Sequence, residues 1–284
     1  MEAPHALKRS LAKSVRWRFR RVYKHLAETD WYWQIFSPGN DRTAYITGLF
    51  GSGRLYVNDL IERHIGKRAR YFRDRICLHR GPTSMIYSGH ATVKHVSRAQ
   101  APPAVTSRIL EAVRLRYADL IFLYRHPLDS LLTNWVFWSS RVRGEPGSVV
   151  SSAYKNSNDL CADLERNFAT FVAFAEGDPA FFAAAPGPPF LSFSQYTEET
   201  ELYLRLATLC LRFEDFMIDP LKEFSKIAKV MSVDLDLSRA DLQLPRSKPS
   251  RFLVVKEEVP RFKAFAEGLD AETRKRIERI GYTV

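Results

Sequence analysis

The chain has 284 residues, 45% of them hydrophobic and 13% aromatic, which suits one large domain with a substantial core and excludes bulk disorder. No apolar run reaches the length of a membrane span, and the N-terminus lacks the apolar core of a signal peptide. Cys77, Cys161 and Cys210 lie far apart without paired zinc spacing, so a disulfide framework is not expected and a reducing cytoplasm is. The formal charge of +11 is concentrated at one end: residues 1–25 hold eight Lys and Arg against Glu2, a net of +7.

Leu7, Leu11, Val15, Phe19, Val22 and Leu26 recur at helical spacing with basic residues between them. Residues 1–40 are therefore expected to form a basic amphipathic arm. It either docks on the remaining domain with its basic face in water or meets an anionic membrane surface or a charged acceptor. Trp31, Tyr32, Trp33 and Phe36 and the turn Pro38-Gly39-Asn40 lead into a domain expected over 41–284.

An apolar strand from Thr43 runs into a loop with Gly48, Gly51 and Gly53, and a helical pattern follows over 57–65. Glycines let backbone N–H groups approach an anion, and a helix N-terminus adds a favourable dipole. The spacing nearly spells the Walker pattern, but Arg54 stands for the lysine and Leu55 for the hydroxyl that holds magnesium. The loop reads as a cradle for a phosphate-like anion without a metal.

Residues 68–80 read as basic and irregular, 91–96 as a short strand and 104–117 as a helix. Asp119 to Tyr124 is a continuous apolar run suited to a buried parallel strand, and Pro127 is placed to open a helix reaching Val142. Residues 144–158 read as a long loop, 159–176 as helical, 206–213 as a late strand and 220–231 as an amphipathic helix. The piece 178–194 has no clear pattern, 245–251 is a basic loop, and 271–280 is a final helix. Alternating strands and helices with the glycine loop after the first strand imply an α/β fold: one central parallel sheet flanked by helices. Ligands should sit beyond the carboxyl ends of its strands, where both the loop and Arg125 lie.

Two segments, Thr47-Gly-Leu-Phe-Gly-Ser-Gly-Arg-Leu-Tyr56 and Tyr124-Arg-His-Pro-Leu-Asp-Ser-Leu-Leu-Thr133, resemble the cofactor motifs of the PAPS-dependent sulfotransferases. Their co-substrate is 3'-phosphoadenosine-5'-phosphosulfate (PAPS). A third segment, Leu211-Arg-Phe-Glu-Asp-Phe-Met-Ile-Asp-Pro220, and the ending Ile280-Gly-Tyr282 are similar to further family segments, in the same order. The resemblance implies that Gly48, Gly51, Ser52, Gly53, Arg54 and Leu55 hold the 5'-phosphosulfate and that Tyr56 stacks on adenine. Arg125, Thr133 and, in the later loop, Lys248 and Arg251 would hold the 3'-phosphate, with Arg246 an equal candidate there. Singly, Arg125 also fits a surface ion pair, Thr133 a helix-buried hydroxyl and Tyr56 a core tyrosine.

The family usually carries Lys or Arg where this chain has Gly51, so Arg54 is the expected cation for the leaving phosphate. The segment Val93-Lys-His-Val96 is similar to a Lys-Thr-His stretch of the family's cytosolic members, which implies His95 as general base, with His90 second and Glu62, by resemblance to carbohydrate-acting relatives, as the carboxylate alternative. His126 invites a metal reading but has no second ligand at metal spacing, and no metal is expected. Adjacent Glu214 and Asp215 on a strand would face opposite ways, which speaks against a shared acid–base pair. The expected activity is sulfuryl transfer from PAPS to a hydroxyl of a carbohydrate or glycolipid, with no specific nucleic-acid partner. The alternatives are a P-loop kinase or NTPase, a PAPS-binding pseudoenzyme, and a basic membrane- or nucleic-acid-binding module.

Overall fold

The computed structural model describes residues 43–64, 69–72, 84–90, 119–142, 157–178, 191–231 and 251–284. Five strands, β1 (Thr43–Gly48), β2 (Ala69–Phe72), β3 (Ser84–His90), β4 (Asp119–Tyr124) and β5 (Leu209–Arg212), form one sheet in the order β2-β3-β1-β4-β5. Every pairing is parallel. The fold is α/β, as the alternation of patterns implied. Ten helices accompany the sheet among the described residues: α1 (Arg54–His64), α2 (Pro127–Val142), α3 (Ser157–Arg166), α4 (Phe168–Glu176) and α5 (Phe193–Leu206), then α6 (Phe213–Ile218), α7 (Pro220–Met231), α8 (Arg251–Glu258), α9 (Pro260–Glu267) and α10 (Ala271–Arg279).

β4 is apolar and buried from Leu120 to Leu123 because both of its faces are covered. Ile121 and Leu123 join Ala44, Ile46 and Leu211 on one face, against Val57, Leu60 and Ile61 of α1, Phe216 of α6 and Phe224 and Ile227 of α7. Phe122 points the other way and stacks on Tyr203 of α5, with ring centroids 5.0 Å apart. On that side Leu128, Leu132 and Trp135 of α2 pack with Phe171 and Phe174 of α4, Val255 of α8, Phe262 of α9 and Ile277 of α10. The last helix stops at Gly281 (φ +88°), where Gly281 N–H donates to the Glu278 carbonyl and Tyr282 N–H to that of Ile277. That is a Schellman stop, and it turns Tyr282 back onto the core, where it is 7% exposed.

Several expectations need correction. β2 lies in the stretch read as irregular, and a strand runs over 84–90; the pattern at 91–96 and the helix at 104–117 lie outside the described residues. The helix expected over 159–176 is two helices that meet at Asn167. Leu206 ends α5 instead of opening a strand, and α6 starts directly after Arg212. Glu214 and Asp215 thus sit in the first turn of a helix, not on a strand. Ser192 and Gln195 close a capping box at the start of α5, the Ser-x-x-Gln signal hidden in the unassigned piece.

Candidate functional site

β1 sits at the centre of the sheet, with β3 on one side and β4 on the other. The chain leaves β1 toward β2 and leaves β4 toward β5, in opposite directions, so a crevice opens between the carboxyl ends of β1 and β4. Gly48 ends β1 in that crevice: a Cβ there would lie 2.6 Å from the Leu123 carbonyl oxygen of β4 and would collide with Ser52 Oγ. The strand partner of Gly48 on the other side is His90, which places that residue's backbone at the same edge.

The loop after Gly48 is pressed between two elements. Gly51 has φ +84°, and a Cβ on it would come within 2.9 Å of the Ser130 carbonyl of α2. Asn134 Nδ2, one turn further along α2, donates to the Phe50 carbonyl at 3.5 Å. Gly53 has φ +84° as well, and a Cβ there would strike the Phe213 ring. Left-handed backbone favours glycine at both positions. The loop therefore has no room for a side chain at Gly51. Ser52 N–H donates to the Leu49 carbonyl at 3.2 Å, while Ser52 Oγ is buried without a hydrogen-bond partner among the described residues. α1 begins at Arg54, three residues earlier than its sequence pattern suggested, so Arg54, Leu55 and Tyr56 all belong to its first turn. Arg54 is 4% exposed.

Arg125 follows β4 directly. Its Nη2 lies 3.6 Å from Asp129 Oδ1, and its guanidinium sits over the Phe213 ring at 5.0 Å from the centroid. Arg125 Nε is buried and has no partner among the described residues. Tyr56 meets the same Phe213 ring edge-on, with centroids 6.1 Å apart. Phe213 thus touches Gly53, Tyr56 and Arg125, and joins the glycine loop to the Arg125 strand end. The pattern that read 206–213 as a strand put Phe213 at its end; it instead opens α6, and this position carries the ring to the loop.

Thr133 Oγ1 donates to the Asp129 carbonyl at 2.8 Å, so its proton is engaged by its own helix. Asp129 Oδ1 accepts the Phe252 N–H at 2.9 Å, which brings the first turn of α8, and with it Arg251, to the Arg125 end of α2. Glu62 is exposed near the far end of α1, about 12 Å along the axis from Arg54 at the usual rise per residue. His95, Lys248 and Arg246 lie outside the described residues, as does the arm 1–40.

His126 is a structural residue of this edge. Its Nε2 donates to the Thr283 carbonyl at 3.0 Å, and its Nδ1 accepts the Leu128 N–H at 3.2 Å. Both ring nitrogens are engaged, which fixes a neutral tautomer and leaves no lone pair for a metal. Burial, foremost, holds its pKa below the usual imidazole value. Glu214 accepts the His126 backbone N–H at 2.9 Å and the Tyr282 hydroxyl at 2.7 Å. Burial and the Glu214 carboxylate push the Tyr282 phenol well above its ordinary range. The resemblance at Ile280-Gly-Tyr282 and at Glu214 thus marks one contact: the chain end is fastened to the β4–β5 edge behind Arg125. Among the described residues no group of three or more His, Cys, Asp or Glu could hold a metal ion, and no helix is long and apolar enough to cross a membrane.

Fold and site together define an α/β protein with a glycine-rich loop at the switch point of a parallel sheet and an arginine at the adjacent strand end. No protein-family model matches the chain, and no curated protein matches its sequence. Among solved structures it is similar to mouse sulfotransferase SULT7A1 complexed with PAP, at 13% identity over 91% of this chain and 86% of that chain. The TM-score is 0.46, and a likeness of that depth assigns neither activity nor residues.

Proposed function

We propose that the protein is a sulfotransferase that moves the sulfuryl group of PAPS to an acceptor hydroxyl and releases 3',5'-adenosine bisphosphate. The observation that carries this reading is the junction at Phe213: one aromatic ring touches the glycine loop through Gly53 and the Arg125 guanidinium. Two anion-binding features at one sheet edge suit a nucleotide with phosphate at both the 5' and the 3' position. The residues fit such a ligand, because Ser52 Oγ and Arg125 Nε are buried polar groups without hydrogen-bond partners among the described residues. A guanidinium fork matches a phosphate dianion well.

PAPS supplies the activated sulfur: the acceptor oxygen forms a bond to sulfur as the bond to the bridging phosphate oxygen breaks. The loop N–H groups and the positive end of α1 offset the charge that grows on the departing oxygen. Arg54 supplies the cation that Gly51 cannot carry. His95 takes the acceptor proton, with Glu62 as the carboxylate alternative. The absence of a hydroxyl at Leu55 argues for a metal-free reaction.

For the acceptor we extend the reading to a carbohydrate or glycolipid hydroxyl. The Arg-, Lys- and aromatic-rich sequence supports it, and a basic amphipathic arm that rests on anionic membrane suits a lipid-linked acceptor. Transfer from radiolabelled PAPS across a panel of saccharides, glycolipids and simple phenols tests the proposal. Label should enter a saccharide-bearing acceptor, and label confined to phenols would remove the acceptor assignment.

A further inference from the structure

Asp129 places a negative charge beside the group that is to bind an anion. By charge alone it would weaken the site. It is 2% exposed, so the carboxylate is not there for solubility. Its contacts suggest another use. Asp129 Oδ1 lies 3.6 Å from Arg125 Nη2 and accepts the Phe252 N–H at 2.9 Å, across 123 residues of chain. Phe252 is the second residue of α8, where first-turn N–H groups have no partner within the helix. The carboxylate therefore does in trans what a capping side chain does in cis.

The two contacts act on the same ligand site. Arg125 carries five N–H donors in a rigid plane. With one nitrogen drawn to Asp129 and the plane lying over Phe213, Nε is left buried and without a partner among the described residues. The anchored helix turn meanwhile delivers Arg251 to the same end of α2. We infer that Asp129 is a positioning residue for the 3'-phosphate: it sets the Arg125 fork and fastens the start of α8, so that two separate segments of the chain face one anion. This deepens the sulfotransferase reading and rests on it.

The test uses the full chain and two probes that differ only at the 3' position, 3',5'-adenosine bisphosphate and AMP. Titration calorimetry gives the ratio of their dissociation constants for wild type, Asp129→Asn, Asp129→Ala, Arg125→Ala and the Asp129→Ala/Arg125→Ala pair. Asp129→Asn keeps an acceptor for Phe252 N–H and loses the charge that holds Arg125. Its melting temperature should stay near wild type while the ratio falls about threefold or more, because the ion pair that orients the Arg125 fork is lost. Asp129→Ala should lower the ratio about tenfold or more, and the double variant should be no less selective than Arg125→Ala alone, since the residues act as a unit. A merely structural Asp129 would weaken both probes alike and leave the ratio unchanged; that result overturns the inference. If Asp129→Ala does not fold, the Asp129→Asn ratio decides by the same criterion. A wild type that does not distinguish the probes would sink the sulfotransferase reading and the inference with it, an outcome separable from a selective wild type with selective variants.

Discussion

Gly53→Ala is a stringent perturbation of the loop, because it makes two errors at once. The backbone sits at φ +84°, where an alanine costs about 1–2 kcal/mol. Its Cβ would also run into the Phe213 ring, and overpacking of this kind costs about 1–3 kcal/mol. The expected loss of stability is therefore about 2–5 kcal/mol, read by urea denaturation. The two terms are separable, since Phe213→Ala removes the obstacle and leaves the backbone strain. The double variant should recover about 1–3 kcal/mol relative to the sum of the single effects, the size of the relieved overlap. Phe213→Ala alone should also weaken binding of 3',5'-adenosine bisphosphate, because the ring supports Arg125 and Tyr56. Costs that add within about 0.5 kcal/mol would mean that Gly53 and Phe213 are not in contact, and the junction on which the site is built would be lost.

General-base loss typically costs a factor of about 10² to 10⁴ in rate, so His95→Ala should reduce single-turnover transfer from PAPS that far with nucleotide affinity nearly intact. If His95→Ala stays within a few-fold of wild type while Glu62→Ala is inactive, the glutamate takes the base role. The His126 pKa is lowered by burial, so the unfolded chain binds this proton more readily than the folded one. Stability should therefore be fully present above the ordinary imidazole pKa of about 6.5 and decline as pH falls below it. His126→Gln should flatten that part of a stability-versus-pH curve, and an unchanged slope would contradict the neutral buried imidazole. Deletion of residues 1–26 should abolish sedimentation with anionic vesicles and leave nucleotide affinity unchanged. Retained sedimentation would place membrane contact elsewhere, and an insoluble product would make the arm part of the domain.

What the sequence revealed and what it concealed have physical causes. The first strand, its glycine loop and the Asp119–Tyr124 strand were legible because an apolar run covered on both faces and glycines needed at crowded backbone leave local signals. The meeting of Arg125 and Gly48 followed from topology, since parallel strands bring their carboxyl ends to one edge. Phe213, Asn134 and Asp129 were not legible as site residues. Phe213 and Asn134 act through partners more than 80 positions away, such as Phe50 for Asn134, and Asp129, though four positions from Arg125, shows its anchoring use only through Phe252, 123 positions away; no local pattern records those distances. Gly51 shows the limit from the other side. The sequence marked it as a departure from a resembling motif, and only the Ser130 carbonyl beneath it explains why a side chain does not fit. Helices α8 and α9 were missed because they are short and are separated only by Val259 before Pro260; their burial comes from packing onto α2 and α4, not from a strong periodicity of their own.

The most direct measurement of the central claim is a calorimetric titration of the full chain with 3',5'-adenosine bisphosphate, AMP and ATP in the presence of EDTA. A hydrogen bond to a charged group contributes about 1.5–3 kcal/mol, so the bisphosphate should bind about 10- to 150-fold more tightly than AMP, without any metal. Arg125→Ala should erase most of that preference. Equal affinity for AMP and the bisphosphate, or ATP binding that appears only when magnesium is restored, would contradict the account.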